Sequence, residues 1–218
     1  MKVKWIFFDL DDTLFNSKEL ALRARKNAIK AMMEAGLDAD EDDAYSRLML
    51  IIKKRGANYD RHYDELLEQY RQKDYRYIAA GVVAYHDTKR AYLHPFPEVV
   101  PTLLELGGRY KLGVISNGSG MKQWEKLVRL GLQHFFDRVV ISEIVGAEKP
   151  DKAIFEEALR GAGCRAKEAV MVGDKDSDIS PAKELGMATV CLNRNFRADF
   201  YIDSFNDILG IVDGLKSK

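Results

Sequence analysis

The stretch Trp5-Ile6-Phe7-Phe8-Asp9-Leu10-Asp11-Asp12-Thr13 constrains this chain more than any other. Four apolar residues run straight into acids. A short apolar run bounded by polar residues reads as a buried strand. Its end projects acids from a carboxyl edge, where open α/β sheets hold their ligands. Asp9 and Asp11 are two residues apart, so the strand period points both side chains to one face near the tip. Two carboxylates side by side are costly to ionise. A divalent cation or a lysine makes them tolerable. An acidic strand tip gathered around a cation suits work on phosphate, whose own charge also needs offsetting.

Beyond this strand, residues 16–94 read as helices. Asn16 and Glu19 have the spacing of a capping box, and Leu20, Ala24, Ala28, Ala31 and Met32 follow at helical period, with Gly36 suited to the end. Asp40 caps a second helix with the stripe Tyr45, Leu48, Ile51 and Ile52, stopping near Gly56. A third, after Asp60, uses Tyr63, Leu66, Leu67 and Tyr70; a fourth uses Tyr75, Ile78, Ala79, Val82 and His86. Packing is the simplest use of these stripes.

At His94-Pro95-Phe96-Pro97 the pattern changes. The proline pair reads as a linker, with Pro97 suited to a first helical turn. Strands are expected at 111–115, 138–142, 168–172 and 187–191, and helices at 97–107, 120–130, 151–162, 177–185 and 204–213. Gly131, Gly163 and Gly186 fall where helices should stop. Such alternation predicts an α/β fold, a parallel sheet with helices on both faces. The helical segment is then an insert, 16–94, dividing the sheet domain into 1–15 and 95–218.

Asp9-Leu10-Asp11-Asp12-Thr13 resembles the D-x-D-x-T motif of the haloacid dehalogenase superfamily, phosphatase branch. Three further pieces follow in the order of that family: Val114-Ile115-Ser116-Asn117-Gly118, Glu148-Lys149-Pro150-Asp151, and Val170-Met171-Val172-Gly173-Asp174-Lys175-Asp176-Ser177-Asp178. The resemblance extends down to Ala198–Ser204, and residues 116–163 look closest to pyrimidine nucleotidases and small sugar-phosphate phosphatases. It implies a Rossmann-like core under an inserted all-helical cap. A lid of that kind excludes water from a reacting phosphate and selects what enters.

The candidate chemistry follows residue by residue. Asp9 is the nucleophile, since a carboxylate attacking phosphorus splits one hard displacement into two easier ones through an aspartyl-phosphate. By the resemblance, Asp11 protonates the leaving oxygen and then activates water. A calcium loop is excluded because Leu14 stands where such a loop needs glycine. Asp9, the carbonyl of Asp11, and Asp174 form an oxygen-only site of the kind magnesium prefers, with Asp178 binding or orienting metal-bound water. Asp176 is read as a helix cap. Ser116 and Asn117 offer a hydroxyl and backbone amides to phosphate oxygens. Thr13 either assists them or serves as a structural hydroxyl. Lys149, placed by the third motif, supplies a positive charge besides the metal. His62 and His86 read as surface or packing residues.

The expected activity is therefore magnesium-dependent hydrolysis of a small phosphomonoester, either a sugar or triose phosphate or a nucleoside monophosphate. Dehalogenation is disfavoured, because that branch lacks an acid at the position of Asp11. A phosphomutase is the enzymatic rival. A receiver-like module that stores a phosphoryl group is the non-enzymatic one, disfavoured by the helical insert and by Asp11. The 34 basic and 34 acidic residues give no bulk field for nucleic acid or an anionic membrane. No apolar run approaches the roughly 20 residues of a membrane span, and the first residues lack a signal-peptide pattern. Cys164 and Cys191 read as reduced structural thiols. The chain is expected to be cytoplasmic, a monomer or homodimer, with a small phosphorylated metabolite as its partner. Its 31% charged residues lean towards a thermophilic source.

Overall fold

The structure, a computed structural model, describes residues 2–57 and 59–216. Strand β1 (Trp5–Phe8) is followed by four helices, α1 (Ser17–Glu34), α2 (Glu41–Arg55), α3 (His62–Tyr70) and α4 (Tyr75–Tyr92). The rest alternates: α5 (Val99–Gly107), β2 (Lys111–Ser116), α6 (Gly120–Arg129), β3 (Arg138–Ile141), the short α7 (Ser142–Val145), α8 (Lys152–Ala162), β4 (Ala169–Gly173), α9 (Asp176–Glu184), β5 (Ala188–Cys191), β6 (Phe200–Tyr201) and α10 (Asp207–Lys216). Compact units form from residues 1–16 with 94–218, and from residues 17–93.

In the first unit all strand pairs are parallel, in the order β3-β2-β1-β4-β5-β6. Succession runs one way from β1 to β3 and the other way from β4 to β6, so the order reverses between β1 and β4. Open sheets bind ligands at such a point. Ile6, Phe7 and Phe8 are fully buried, as a strand covered on both faces requires. Phe7 packs with Ile115, Val140, Ile154 and Phe155 on one side. Phe8 meets Phe205 at 5.7 Å on the other. Phe8 lies level with Val114 of β2 and with Val172 of β4. That register brings the ends of three strands to one height. The strand β6 and the one-turn helix α7 have patterns too short to be read from the sequence.

The chain leaves this unit and returns to it side by side, where Phe96 N donates to Leu14 O at 3.0 Å. Among the described residues, no helix is long and apolar enough to cross a membrane.

The helical unit packs Ile29, Met32, Leu48, Ile51, Leu66 and Leu67 into its own core. Asp40 and Asp74 cap α2 and α4 through Asp43 N and Arg76 N. The stripe expected on α4 is corrected except at Ile78, which packs against the core of this unit. Tyr75, Ala79, Val82 and His86 are exposed, and the buried face carries Gly81 and Thr88. The reason is close packing: a Cβ at Gly81 would stand 2.9 Å from Met32 Cγ and 3.6 Å from Ala28 O of α1, so only a small residue fits there. Asn27 Nδ2 then reaches Thr88 Oγ1 at 3.0 Å.

Candidate active site

Asp9 continues directly from β1, is 4% exposed, and donates its backbone N–H to Val172 O at 2.9 Å. The chain turns tightly after it. Leu14 N donates to Leu10 O and Asp12 N to Phe15 O, each at 3.0 Å. Asp12 takes φ 64° in this turn, a left-handed conformation that Asp tolerates better than most residues. Asp11 is thereby held on the loop just beyond the strand.

Asp174 and Asp178 arrive from the end of β4 and the first turn of α9. Carboxylate oxygens of Asp9, Asp174 and Asp178 lie within 4.8 Å of one another, and all three residues are buried. Lys149 enters from the loop before α8. Its Nζ donates to Asp9 Oδ1 at 2.6 Å and to Ile115 O at 2.8 Å, and it pairs with Asp178 Oδ1 at 2.6 Å. Burial pushes the Asp9 carboxyl up, the Lys149 charge pulls it down, and Asp178 pushes it up again, leaving it at about 6. Burial also opposes the charge on Lys149, but Asp9 and Asp178 outweigh it and raise its pKa. Lys149 within the cluster and Lys175, whose Nζ stands 3.8 Å from Asp174 Oδ1 at its edge, are two cations for three carboxyl groups. The donor set is oxygen-only and short of positive charge, so it fits a hard divalent cation.

Gly173 makes this packing feasible. A Cβ there would stand 2.5 Å from Asp178 Cβ. Asp178 also accepts from Lys175 N at 3.1 Å and so caps α9 itself. Capping by Asp176 is therefore corrected. Asp176 is exposed, outside the acid cluster, and accepts from Ser180 Oγ at 2.6 Å.

Ser116 closes β2 and is 1% exposed. Its hydroxyl accepts from Gln123 Nε2, which leaves its own proton free to be given to a ligand. The Asn117 side chain is engaged elsewhere: it donates to Lys149 O and accepts from Lys149 N, each at 2.8 Å. Any contact of Asn117 with phosphate is left to its backbone. The loop is clipped to α7, directly after β3, where Gly118 N donates to Ser142 Oγ at 2.9 Å and Gly120 N to Glu143 Oε2 at 2.7 Å. Thr13 is fully buried, and its hydroxyl has no hydrogen-bond partner among the described residues. The structure does not join it to Ser116 or to the acids.

Sequence reasoning missed two residues that reach Asp11. Lys126 Nζ lies 2.7 Å from both Asp11 carboxylate oxygens, and Gln123 Nε2 donates to Asp11 Oδ2 at 3.2 Å. No sequence signal marked them: α6 buries Gly120, Gln123 and Leu127 and leaves its larger apolar residues Met121, Trp124 and Val128 exposed.

Residues 6–192 match the model of the haloacid dehalogenase-like hydrolase family. The chain is 48% identical to the glyceraldehyde 3-phosphate phosphatase of Methanopyrus kandleri, over 96% of this chain and 97% of that one. It is 32% identical to a pyrimidine 5'-nucleotidase of Escherichia coli, over 90% and 89%. Among solved structures, an HAD phosphatase from Thermococcus onnurineus superposes with a TM-score of 0.69 at 28% identity, covering 98% of this chain and 99% of that one. With the family match running through β1, β2, β4 and β5, and a relative alike from end to end, this chain belongs to the haloacid dehalogenase-like hydrolases.

Proposed function

We propose that the chain is a magnesium-dependent phosphatase whose substrate is glyceraldehyde 3-phosphate, acting through an aspartyl-phosphate on Asp9. The clustering of Asp9, Asp174 and Asp178 at the sheet's reversal point, with Lys149 paired to Asp9 and Asp178, carries this reading. The substrate is carried over from the Methanopyrus kandleri relative.

In the mechanism, Lys149 holds one Asp9 oxygen and the other attacks phosphorus. The P–O bond to the sugar carbon's oxygen breaks as the Asp9–phosphorus bond forms, and Asp11 gives a proton to the departing oxygen. Asp11 then takes a proton from water, which attacks the aspartyl-phosphate and frees Asp9 and inorganic phosphate. Ser116 donates its hydroxyl proton to a phosphate oxygen throughout. Asp9, Asp174 and the Asp11 carbonyl would hold magnesium, with Asp178 beside them. When bound, the ion supplies the positive charge that the acids and the phosphate lack.

The helical unit, inserted directly after the residues of the strand tip, is proposed from that chain position to choose substrates. The enzyme is placed in the cytoplasm, where its two free thiols stay reduced, and acts as a monomer or homodimer on small metabolites, with no nucleic acid or membrane partner.

Phosphate release from glyceraldehyde 3-phosphate, sugar phosphates and nucleoside monophosphates, each with magnesium, tests the substrate. A preference for pyrimidine nucleotides would move the assignment towards the second relative. A chiral phosphate ester tests the mechanism. Two in-line displacements give net retention at phosphorus, and direct attack by water gives inversion.

A further inference from the structure

We propose that Gln123 and Lys126 of α6 are positioning residues that clamp the Asp11 carboxylate, and that this clamp determines how well the enzyme expels poor leaving groups. The proposal rests on the reading of Asp11 as the acid and base of the reaction.

Asp11 stands on a turn, beyond the last paired residue of β1. A carboxylate there would otherwise sample several rotamers. Lys126 engages both of its oxygens at 2.7 Å, and Gln123 engages Oδ2 at 3.2 Å. Residues three apart on a helix share a face, so α6 presents both donors together. The two differ in setting. Lys126 and Asp11 each keep a side-chain exposure of 23%, whereas Gln123 is 2% exposed. The buried amide also meets Ser116 Oγ and, at 3.0 Å, Asn117 O. One side chain thus ties the acid–base residue to the loop that faces phosphate.

Room for that amide comes from Gly118, where a Cβ would lie 3.2 Å from Gln123 Cδ. The helix itself is fixed at its start, because Gly118 and Gly120 are held by Ser142 and Glu143. The clamp is therefore mounted on α7, the turn that directly follows β3.

Protonation matters in proportion to the basicity of the leaving group. Alkyl phosphates need it, and aryl phosphates need it much less. A misplaced acid should therefore slow alkyl esters selectively, and a displacement of about 1 Å costs on the order of 100-fold.

The test compares glyceraldehyde 3-phosphate and glycerol 3-phosphate with p-nitrophenyl phosphate, recording both steady turnover and leaving-group release in the first turnover. Lys126→Met should lower alkyl ester turnover by roughly 10- to 100-fold with KM changed less than about threefold. First-turnover release of p-nitrophenol should change less than about threefold, and Lys126→Arg should recover most of the loss. Gln123→Leu should slow both ester classes, because it also releases Ser116 and Asn117, and should slow alkyl esters the more. If its buried site prevents folding, Lys126→Met, at a part-exposed side chain, decides alone. Equal losses of first-turnover leaving-group release for both ester classes, or a loss confined to KM, would overturn the clamp in favour of a structural or substrate-binding role. Asp11→Asn separates the two levels. If it shows no leaving-group selectivity, the acid–base reading fails and the clamp with it. If it does and Lys126→Met does not, only the clamp is wrong.

Discussion

Lys149 and Asp9 lie 140 residues apart in the chain and meet at 2.6 Å. Nearly all of that contact is hidden from solvent. Removing one partner of a buried ion pair typically costs about 3–5 kcal/mol. Lys149→Met should therefore lower the stability of the metal-free protein by about 3 kcal/mol. Its turnover should fall at least about 100-fold. Magnesium should raise the melting temperature of this variant more than that of the unmodified protein, because the ion replaces the missing charge. Thermal unfolding before and after EDTA treatment checks this. Equal magnesium shifts in both proteins would mean that Lys149 and the cation do not share the acids.

Metal removal should abolish activity, and magnesium should restore it. Calcium should restore it poorly, since its larger and looser shell fits an in-line displacement badly. Magnesium that binds only the folded state also raises stability. Asp174→Asn should lose most of that stabilisation, as titration followed by calorimetry would reveal. Full turnover in exhaustively stripped protein would falsify the metal requirement.

Gly173→Ala tests the tightness of the acid cluster. The added methyl would press on Asp178, which Lys149 holds from the other side. Overpacking costs about 1–3 kcal/mol. We expect that loss in unfolding experiments, with a larger proportional loss of magnesium affinity. A variant that melts lower but binds magnesium normally would show that Asp178 does not help to shape the cation site.

The pH dependence of stability should report on Glu168. Its carboxyl is held well below its usual range by Arg165, then by Lys4, whose backbone N–H also donates to Glu168 O at 2.8 Å. A carboxyl with a lowered folded-state pKa adds stability above its unfolded pKa, and the gain is lost as pH falls through the folded value. Glu168→Gln should accordingly be less stable than the unmodified protein at pH 7. The gap should narrow as pH drops below about 4.5, the ordinary value for this side chain. Denaturant midpoints at pH 7, 5 and 3 measure it, and a constant gap would exclude the electrostatic explanation.

Much of the site is legible in the amino-acid sequence, for a physical reason. Asp9 and Ser116 end or follow apolar strands, and Asp174 comes after a glycine at a strand end, so local pattern alone puts them on one edge of a parallel sheet. Lys149 and Asp178 are legible only through the ordered motifs. What escapes depends on packing. Gln123 and Lys126 sit inside a helix whose sequence does not say which face meets Asp11. The cap of α9 comes from Asp178 and not from Asp176, because Gly173 leaves the space for it. On α4 the choice between a bulky stripe and a small one is made at Gly81 by Met32 and the backbone of Ala28 of α1, residues remote in the chain.

The hydrogen bond between Phe96 and Leu14 makes the helical segment a cassette. A sheet whose broken ends are already pinned together hardly registers the length of what is spliced between them, because lengthening a closed excursion costs entropy only logarithmically. Turns, helices or whole bundles can then be exchanged at this junction while the strands keep their register. Selection can rewrite one half of such a chain for new molecules and leave the other half, with its acids and its lysine, as inherited hardware.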